Sequence, residues 1–355
     1  MFQIKLTMIF LAAFFIVYFT VPLAMKLAYH FGAIDQPDPR KVHQKAMPRL
    51  GGLSLFVGIM LPTLFVALFV IKAPAYWGIV LGGIIAFLVG LLDDLFSLPP
   101  LAKLAGQSLA AIIAIHFGIV VEFMTNPFNG MVWLGYLSYP ITFLWMVGII
   151  NAVNLIDGLD GLAAGVSGIA ALTLGTVAFL QGNPTVFVLS MVILAAVLGF
   201  LPYNFYPAKI FMGDGGSNFL GFMLGTLAVL GAAKTTAVIS LFVPIVILGI
   251  PIFDTFFAIV RRFYNKTNIL QPDKNHLHHR LMALGLNHRQ SVLTIYAIST
   301  LFGLTAIIIS IIARPEASIL LAILLLFVLW GARKTGICTE KKPEPPEQIA
   351  ERLKI

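Results

Sequence analysis

Apolar runs long enough to cross a lipid bilayer follow one another through nearly all of this chain, and they leave few folds open to it. Eleven can be marked, at about 4–29, 51–71, 75–92, 101–119, 139–153, 159–181, 185–203, 216–232, 236–262, 290–313 and 317–332. In hydrocarbon every backbone N–H and C=O needs a partner within the protein, so only helices and closed barrels span a membrane. The runs are continuous rather than alternating, which excludes a β-barrel and predicts an all-α, polytopic transmembrane bundle of ten to eleven spans. Composition agrees: 59% of the 355 residues are hydrophobic and 11% charged, where a soluble domain carries about a quarter. The fifth run is short, and the ninth is long and holds Pro244 and Pro251, which predict a kink. Residues 121–139, with Asn126-Pro127 and Asn129-Gly130, predict a small extracellular hairpin. Residues 1–332 read as one transmembrane domain, and 333–355, opening rich in Pro, Glu and Lys, as a charged cytoplasmic tail. The first run lacks a small-residue cleavage site and is expected to be a span rather than a signal peptide. A single cysteine, Cys338, leaves no internal disulfide and no cysteine-based zinc site.

Alternating the spans puts 31–50, 93–103, 204–215, 261–290 and 333–355 on one side, with 18 Lys and Arg; the other side holds 4, namely Lys5, Lys72, Lys234 and Arg314. The positive-inside rule makes the first side cytoplasmic and the N-terminus external. The net charge of +8 therefore reports orientation, not nucleic-acid binding. All nine aspartates also lie on or approach that side, and topology does not explain them, because acidic residues contribute little to the rule.

Asp93-Asp94 closes the third run, at a helix C-terminus where the macrodipole repels negative charge. Two adjacent carboxylates there call for a cation or a proton, so the pair is a candidate for metal or acid–base work. In Asn151-Ala-Val-Asn154-Leu-Ile-Asp157-Gly158-Leu159-Asp160-Gly161, Asn154, Asp157 and Asp160 follow an i, i+3, i+6 spacing along one side of a helix or turn. The spacing and the missing closing Glu exclude an EF-hand. The glycine-rich string Phe211-Met-Gly-Asp214-Gly-Gly-Ser217 opens the eighth run, so the free N–H groups of a helix N-terminus face whatever anion sits there; Asp214 reads as ligand or N-cap. Asn275-His276-Leu277-His278-His279-Arg280 sits among Arg261, Arg262, Lys266, Lys274 and Arg289. Without Cys or a helix-spaced Glu, zinc is the poorer reading, and donors and cations around a phosphorylated substrate the better one. Lys41, His43 and their basic neighbours precede Gly51-Gly52, and Lys103 opens the fourth run within reach of a phosphate. Asp254, about two turns inside the ninth run, is a functional residue by default unless that end projects into the cytoplasm.

Carboxylates with amide oxygens select Mg²⁺ or Mn²⁺ over softer metals. Together with a helix N-terminus and basic side chains, they equip a membrane enzyme for phosphoryl transfer at the cytoplasmic face.

RKVHQKAMPRLGG, GLLDD, NAVNLIDGLDGL, FMGDGGS, PIFD and HLHHR, spread over about 35–290, resemble in type and order the polyprenyl-phosphate N-acetylhexosamine-1-phosphate transferases, the WecA/TagO and MraY superfamily. The resemblance implies transfer of a phospho-sugar from a UDP-sugar to a polyprenyl phosphate such as undecaprenyl phosphate, release of UMP, an Mg²⁺ requirement and a homodimer in the cell membrane. It implies Asp214 as principal Mg²⁺ ligand with Asn154 nearby, Asp93 and Asp94 activating or orienting the acceptor with Asp93 as base, and Lys103 on the pyrophosphate. Gly158, Leu159, Asp160, Asn204 and Phe211 would form the nucleoside pocket, with Phe211 stacked on uracil. His276, His278, His279 and Arg280, with Lys41 and His43, would meet sugar and phosphate. Asp157 is left as nucleophile or organiser of the site, with direct attack by the lipid phosphate favoured. HLHHR and the RKVH…PRLGG opening resemble the WecA/TagO branch, which implies UDP-N-acetylglucosamine as donor and wall teichoic acid linkage as destination. The rival within the superfamily is phospho-MurNAc-pentapeptide transfer. A secondary transporter is the rival from another class, but it would carry midplane charges in paired repeats, and no repeat is seen.

Overall fold

The computed structural model describes residues 2–36, 46–70, 73–125, 131–232, 242–264, 276–312 and 314–335. Lys41, His43 and the tail from 336 onward lie outside the described residues.

Helix α1, Phe2–Phe31, leads through a short antiparallel pair, β1 (Ile34–Asp35) with β2 (Met47–Pro48), into α2, Gly51–Phe69. The next two, α3 (Pro74–Phe96) and α4 (Pro100–His116), each begin with Pro at the first helical position, where its missing N–H has no partner to lose. Between them Ser97 turns left-handed and returns its N–H to the Asp93 carbonyl, and Pro99-Pro100 prevents α3 from continuing. The predicted hairpin is present as β3 (Phe123–Thr125) against β4 (Met131–Trp133). There follow α5 (Ser138–Leu155), α6 (Leu162–Leu180), α7 (Pro184–Asn204) and α8 (Gly213–Ala232).

The ninth predicted run contains two helices among the described residues, α9 (Phe242–Ile247) and α10 (Gly249–Tyr264), broken at Leu248. The cause is Pro251, which has no N–H to return to the Ile247 carbonyl. A short helix α11, Leu277–Ala283, precedes α12, His288–Ile311, which starts on a reciprocal capping box between Asn287 and Gln290. Last comes α13, Arg314–Thr335, which runs past the predicted end of the final span.

Nine of the described helices are long and apolar enough to cross a bilayer, and α4 is a shorter apolar helix of 17 residues. With almost no sheet, the chain is an all-α multi-pass membrane protein. Helix α8 is its hub, packed against α2, α3, α5 and α6. Its spanning window is 89% buried, against 22% for α1 and for the last helix, which turn Phe19, Leu326 and Trp330 outward. Helices apolar on every side with such exposed faces belong in lipid.

Candidate active site

The N-terminus of α8 is held by a carboxylate from α3. Asp94 accepts the backbone N–H of Asp214 on Oδ1 and that of Gly215 on Oδ2, both at 2.9 Å, and Arg49 reaches its Oδ1 at 3.1 Å. Gly213 makes this docking possible: its φ is +72°, and a Cβ there would collide with the Arg49 carbonyl. The negative end of α3 is thus neutralised by the positive end of α8 and a guanidinium. Arg49 is presented by the β1–β2 pair, with its backbone N–H on the Ala33 carbonyl at 3.0 Å and its guanidinium 3.9 Å from Asp35. Burial works against its charge, but Asp94, Asp214, Asp35 and Asp93 together raise its pKa above the ordinary value.

Lys103 stands between three of the predicted site residues. Its Nζ is 2.9 Å from Asp93 Oδ2, 2.7 Å from Asp214 Oδ2 and 3.4 Å from Asn154 Oδ1. Asp93 also accepts the Leu98 N–H at 2.8 Å, and Asn154 Nδ2 donates to Asp214 Oδ1 at 2.7 Å and to Ser217 Oγ at 2.8 Å. One helical turn deeper on α4, α5 and α8 lies an amide layer. Asn151 Nδ2 donates to Gln107 Oε1 at 2.8 Å, and Gln107 Nε2 lies 3.3 Å from Asn218 Oδ1. Sequence reasoning passed over Gln107 and Asn218; their i+4 spacing from Lys103 and Asp214 inside apolar runs was the available signal.

Beside this cluster opens a cavity of about 400 Å³, lined by Asp157, Gly158, Leu159, Asp160, Asn204 and Phe211, with Asp35, Arg49, Met212, Gly213, Asp214, His279 and His288. All five residues expected to form a nucleoside pocket lie on this wall. Asp160 Oδ2 accepts the Ala208 N–H at 3.0 Å, and the Asp160 N–H donates to His288 Nε2 at 3.0 Å. His288 stacks on Tyr206, 4.5 Å between ring centres; it was not singled out from the sequence, where a lone histidine at a helix start carries no distinguishing pattern. Asn204 Nδ2 donates to the Ile210 carbonyl at 3.0 Å, leaving its Oδ1 buried with no partner among the described residues. The Asp157 side chain has no hydrogen bond among the described residues. Burial first, then the charges of Asp214 and Asp94, push its pKa up to about 8.

The histidine motif is not a solvated loop. Asp254, on α10, accepts the Leu277 N–H at 2.8 Å and sits 2.8 Å from His276 Nδ1. Asp254, His276, His278 and Arg280 are all buried. His278 turns its Nε2 onto Gly158, where a side chain would collide with it, and that nitrogen has no hydrogen-bond partner among the described residues. Burial, and then the neighbouring His279, lower the His278 pKa to about 3, so it is neutral. Of the four motif residues only His279 lines the cavity.

Residues 76–232 match the profile of glycosyl transferase family 4. A probable undecaprenyl-phosphate N-acetylglucosaminyl 1-phosphate transferase of Bacillus subtilis (strain 168) is 43% identical over 96% of this chain and 94% of its own length. A decaprenyl-phosphate N-acetylglucosaminephosphotransferase of Mycolicibacterium smegmatis is 37% identical over 82% of this chain and 79% of its own. The undecaprenyl-phosphate alpha-N-acetylglucosaminyl 1-phosphate transferase of Escherichia coli (strain K12) is 29% identical over 87% of this chain and 85% of its own. The chain belongs to glycosyl transferase family 4, among the polyprenyl-phosphate N-acetylhexosamine-1-phosphate transferases.

Proposed function

We propose that this enzyme transfers N-acetylglucosamine 1-phosphate from UDP-N-acetylglucosamine to undecaprenyl phosphate, releasing UMP, with its site facing the cytoplasm. The observation that carries the reading is the 43% identity to an N-acetylglucosaminyl 1-phosphate transferase over nearly the whole of both chains. The 18-to-4 split of basic residues supports the cytoplasmic orientation.

An oxygen of the lipid phosphate attacks the phosphorus that carries the sugar; the P–O–P bridge of the donor breaks, and UMP leaves with the bridging electrons. The nucleoside lies in the cavity against Phe211, with the unpartnered Asn204 Oδ1 free to accept an N–H from the base. Its pyrophosphate points toward Lys103, whose ammonium neutralises charge that builds as the bridge breaks. Asp93 and Asp94 orient the acceptor, Asp93 through Lys103 and Asp94 through Arg49 and the N-terminus of α8. Direct attack by the lipid phosphate is favoured over a covalent route through Asp157, whose burial holds its carboxyl toward the neutral, non-nucleophilic form.

Among the described residues no three His, Cys, Asp or Glu side chains converge as a protein-only metal site. Mg²⁺ does not require one, since it is usually held by one or two carboxylates plus substrate phosphates. The oxygens of Asp214, Asn154 and Asp93, already gathered around a cation in Lys103, fit it, and Mn²⁺ would suit the same set. Bound there, the ion would neutralise pyrophosphate charge. A homodimer and a role in wall teichoic acid linkage extend the same reading; the mass of the detergent-solubilised particle tests the first.

The test is UMP release by detergent-purified protein with Mg²⁺, undecaprenyl phosphate and either UDP-N-acetylglucosamine or UDP-MurNAc-pentapeptide. Release from the first donor alone, abolished by EDTA and by Asp214→Ala, is expected. Release from the pentapeptide donor alone would overturn the donor assignment.

A further inference from the structure

A buried carboxylate with both oxygens committed to one short segment is an unusual use of an acid inside a membrane protein, where ionisable groups are expensive. Asp254 is 4% exposed and His276 5%. One Asp254 oxygen takes the N–H of Leu277, the first residue of α11, and the other faces His276 Nδ1, each at 2.8 Å. His276 is the N-cap of α11, yet its side chain makes no capping bond; Asp254 supplies the cap from another helix. The two side chains share one hydrogen bond, in which His276 Nδ1 is the donor when the carboxylate, an acceptor only in its ionised form, faces it. The His276 and His278 rings lie parallel, 6.0 Å apart, and His278 and His279 are 4.2 Å apart. Of the three, His279 alone lines the cavity.

We propose that Asp254 and His276 form a clamp that positions the start of α11, so that His279 is the residue of this motif that meets the donor sugar phosphate. The clamp rests on the transferase reading of the cavity. His276 is then a positioning residue, and its second ring nitrogen is not used on substrate.

Two variants, read against His276→Ala, separate positioning from contact. In Asp254→Asn the amide oxygen keeps the Leu277 N–H, but the new NH₂ faces His276 Nδ1, which must give up its proton. In His276→Asn the side-chain nitrogen falls where Nδ1 was and still donates to Asp254, while nothing replaces Nε2. NMR of ¹⁵N-histidine-labelled protein in detergent is expected to show an Nδ1–H for His276 that disappears in Asp254→Asn. UMP release from UDP-N-acetylglucosamine is expected to fall about 10- to 100-fold in Asp254→Asn and in His276→Ala, with the Kd of UMP alone changed less than about threefold. His276→Asn should regain about tenfold over His276→Ala, the signature of a donor toward Asp254. Asparagine no better than alanine at 276, or full activity in Asp254→Asn, would overturn the clamp. If the wild-type protein releases no UMP, the transferase reading fails, and the Nδ1–H signal still decides the clamp.

Discussion

The cluster around Lys103 and the wall of the adjoining cavity are built from the same helix ends, but they treat their polar groups in opposite ways. In the cluster, every carboxylate oxygen of Asp93, Asp94 and Asp214 has a donor, from Lys103, Arg49, Asn154 or a backbone N–H. On and behind the wall, Asn204 Oδ1, His278 Nε2 and His288 Nδ1 are buried without one, and the Asp157 carboxylate makes no hydrogen bond among the described residues. A buried polar atom left unpaired costs about 1–3 kcal/mol, and such groups persist where a ligand completes them. The cluster is therefore charge arranged in advance, which needs no reorganisation when substrate arrives. The wall keeps polar atoms such as Asn204 Oδ1 without a donor among the described residues, beside bonded ones such as Asp160 Oδ2, and it reads as binding surface.

Removing the centre of the cluster should produce the largest effect. Asp214→Ala takes an acceptor from both Lys103 and Asn154, and turnover at saturating donor and acceptor is expected to fall by roughly 10³-fold or more. Activity within tenfold of wild type would mean that the cluster is scaffolding and the chemistry lies on the wall.

Asp157→Asn tests the wall from the other direction, because activity and stability should move oppositely. Activity is expected to fall about 100-fold, because the side chain lines the cavity and organises the site without itself attacking. The folded-state pKa of about 8 lies above the ordinary value of 3.8, so the wild-type carboxyl is harmless below that lower value. It weakens the fold increasingly as pH rises toward 8, and fully above it. The amide removes this liability. Without Mg²⁺ the variant should be more stable than wild type at pH 9, by roughly 2 kcal/mol for a solvent-screened group, and equal to it near pH 4. Thermal unfolding at the two pH values checks this. A less stable variant at pH 9 would show that the carboxylate is paired.

The same contrast marks what was legible in the sequence. Apolar runs were legible because lipid admits so few backbone solutions, and the motif residues because carboxylates and amides stand out at the ends of such runs. By position alone Asp93 and Asp94 looked equivalent, and only the family resemblance set Asp93 apart as base. Their different fates depend on α3 docking against the start of α8, 120 residues further along the chain, with Asp94 capping that helix. The histidine motif likewise looked uniform, yet its side chains part between Asp254, Gly158 and the cavity, according to how a two-turn helix, capped from α10, settles on α12. The break at Leu248 was half legible: the prolines announced a kink, and the separate helix after it needed the fold.

Asn204→Ala should be milder, since it removes an acceptor from the wall and leaves the cluster intact. The KM for UDP-N-acetylglucosamine and the Kd of UMP are expected to rise about tenfold, with kcat within about twofold. A fall in kcat at constant KM would move Asn204 from ground-state binding to the reacting centre.

The smallest effect should come from the amide layer beneath the cluster. In Gln107→Leu, Asn151 keeps its Nδ2 bond to the Val147 carbonyl at 2.8 Å, while Asn218 Oδ1 loses the donor it has. The substitution removes two interhelical side-chain hydrogen bonds, to Asn151 and to Asn218, each worth about 0.6 kcal/mol on average inside a membrane, so the expected loss is roughly 2–5 °C in Tm. Turnover should stay within about threefold, because Lys103, Asn154 and Asp214 hold one another without help from below. A larger loss of turnover at that small loss of stability would show the two layers to be coupled. The boundary between prearranged charge and passive support would then lie one helical turn deeper than the contacts of Lys103 place it.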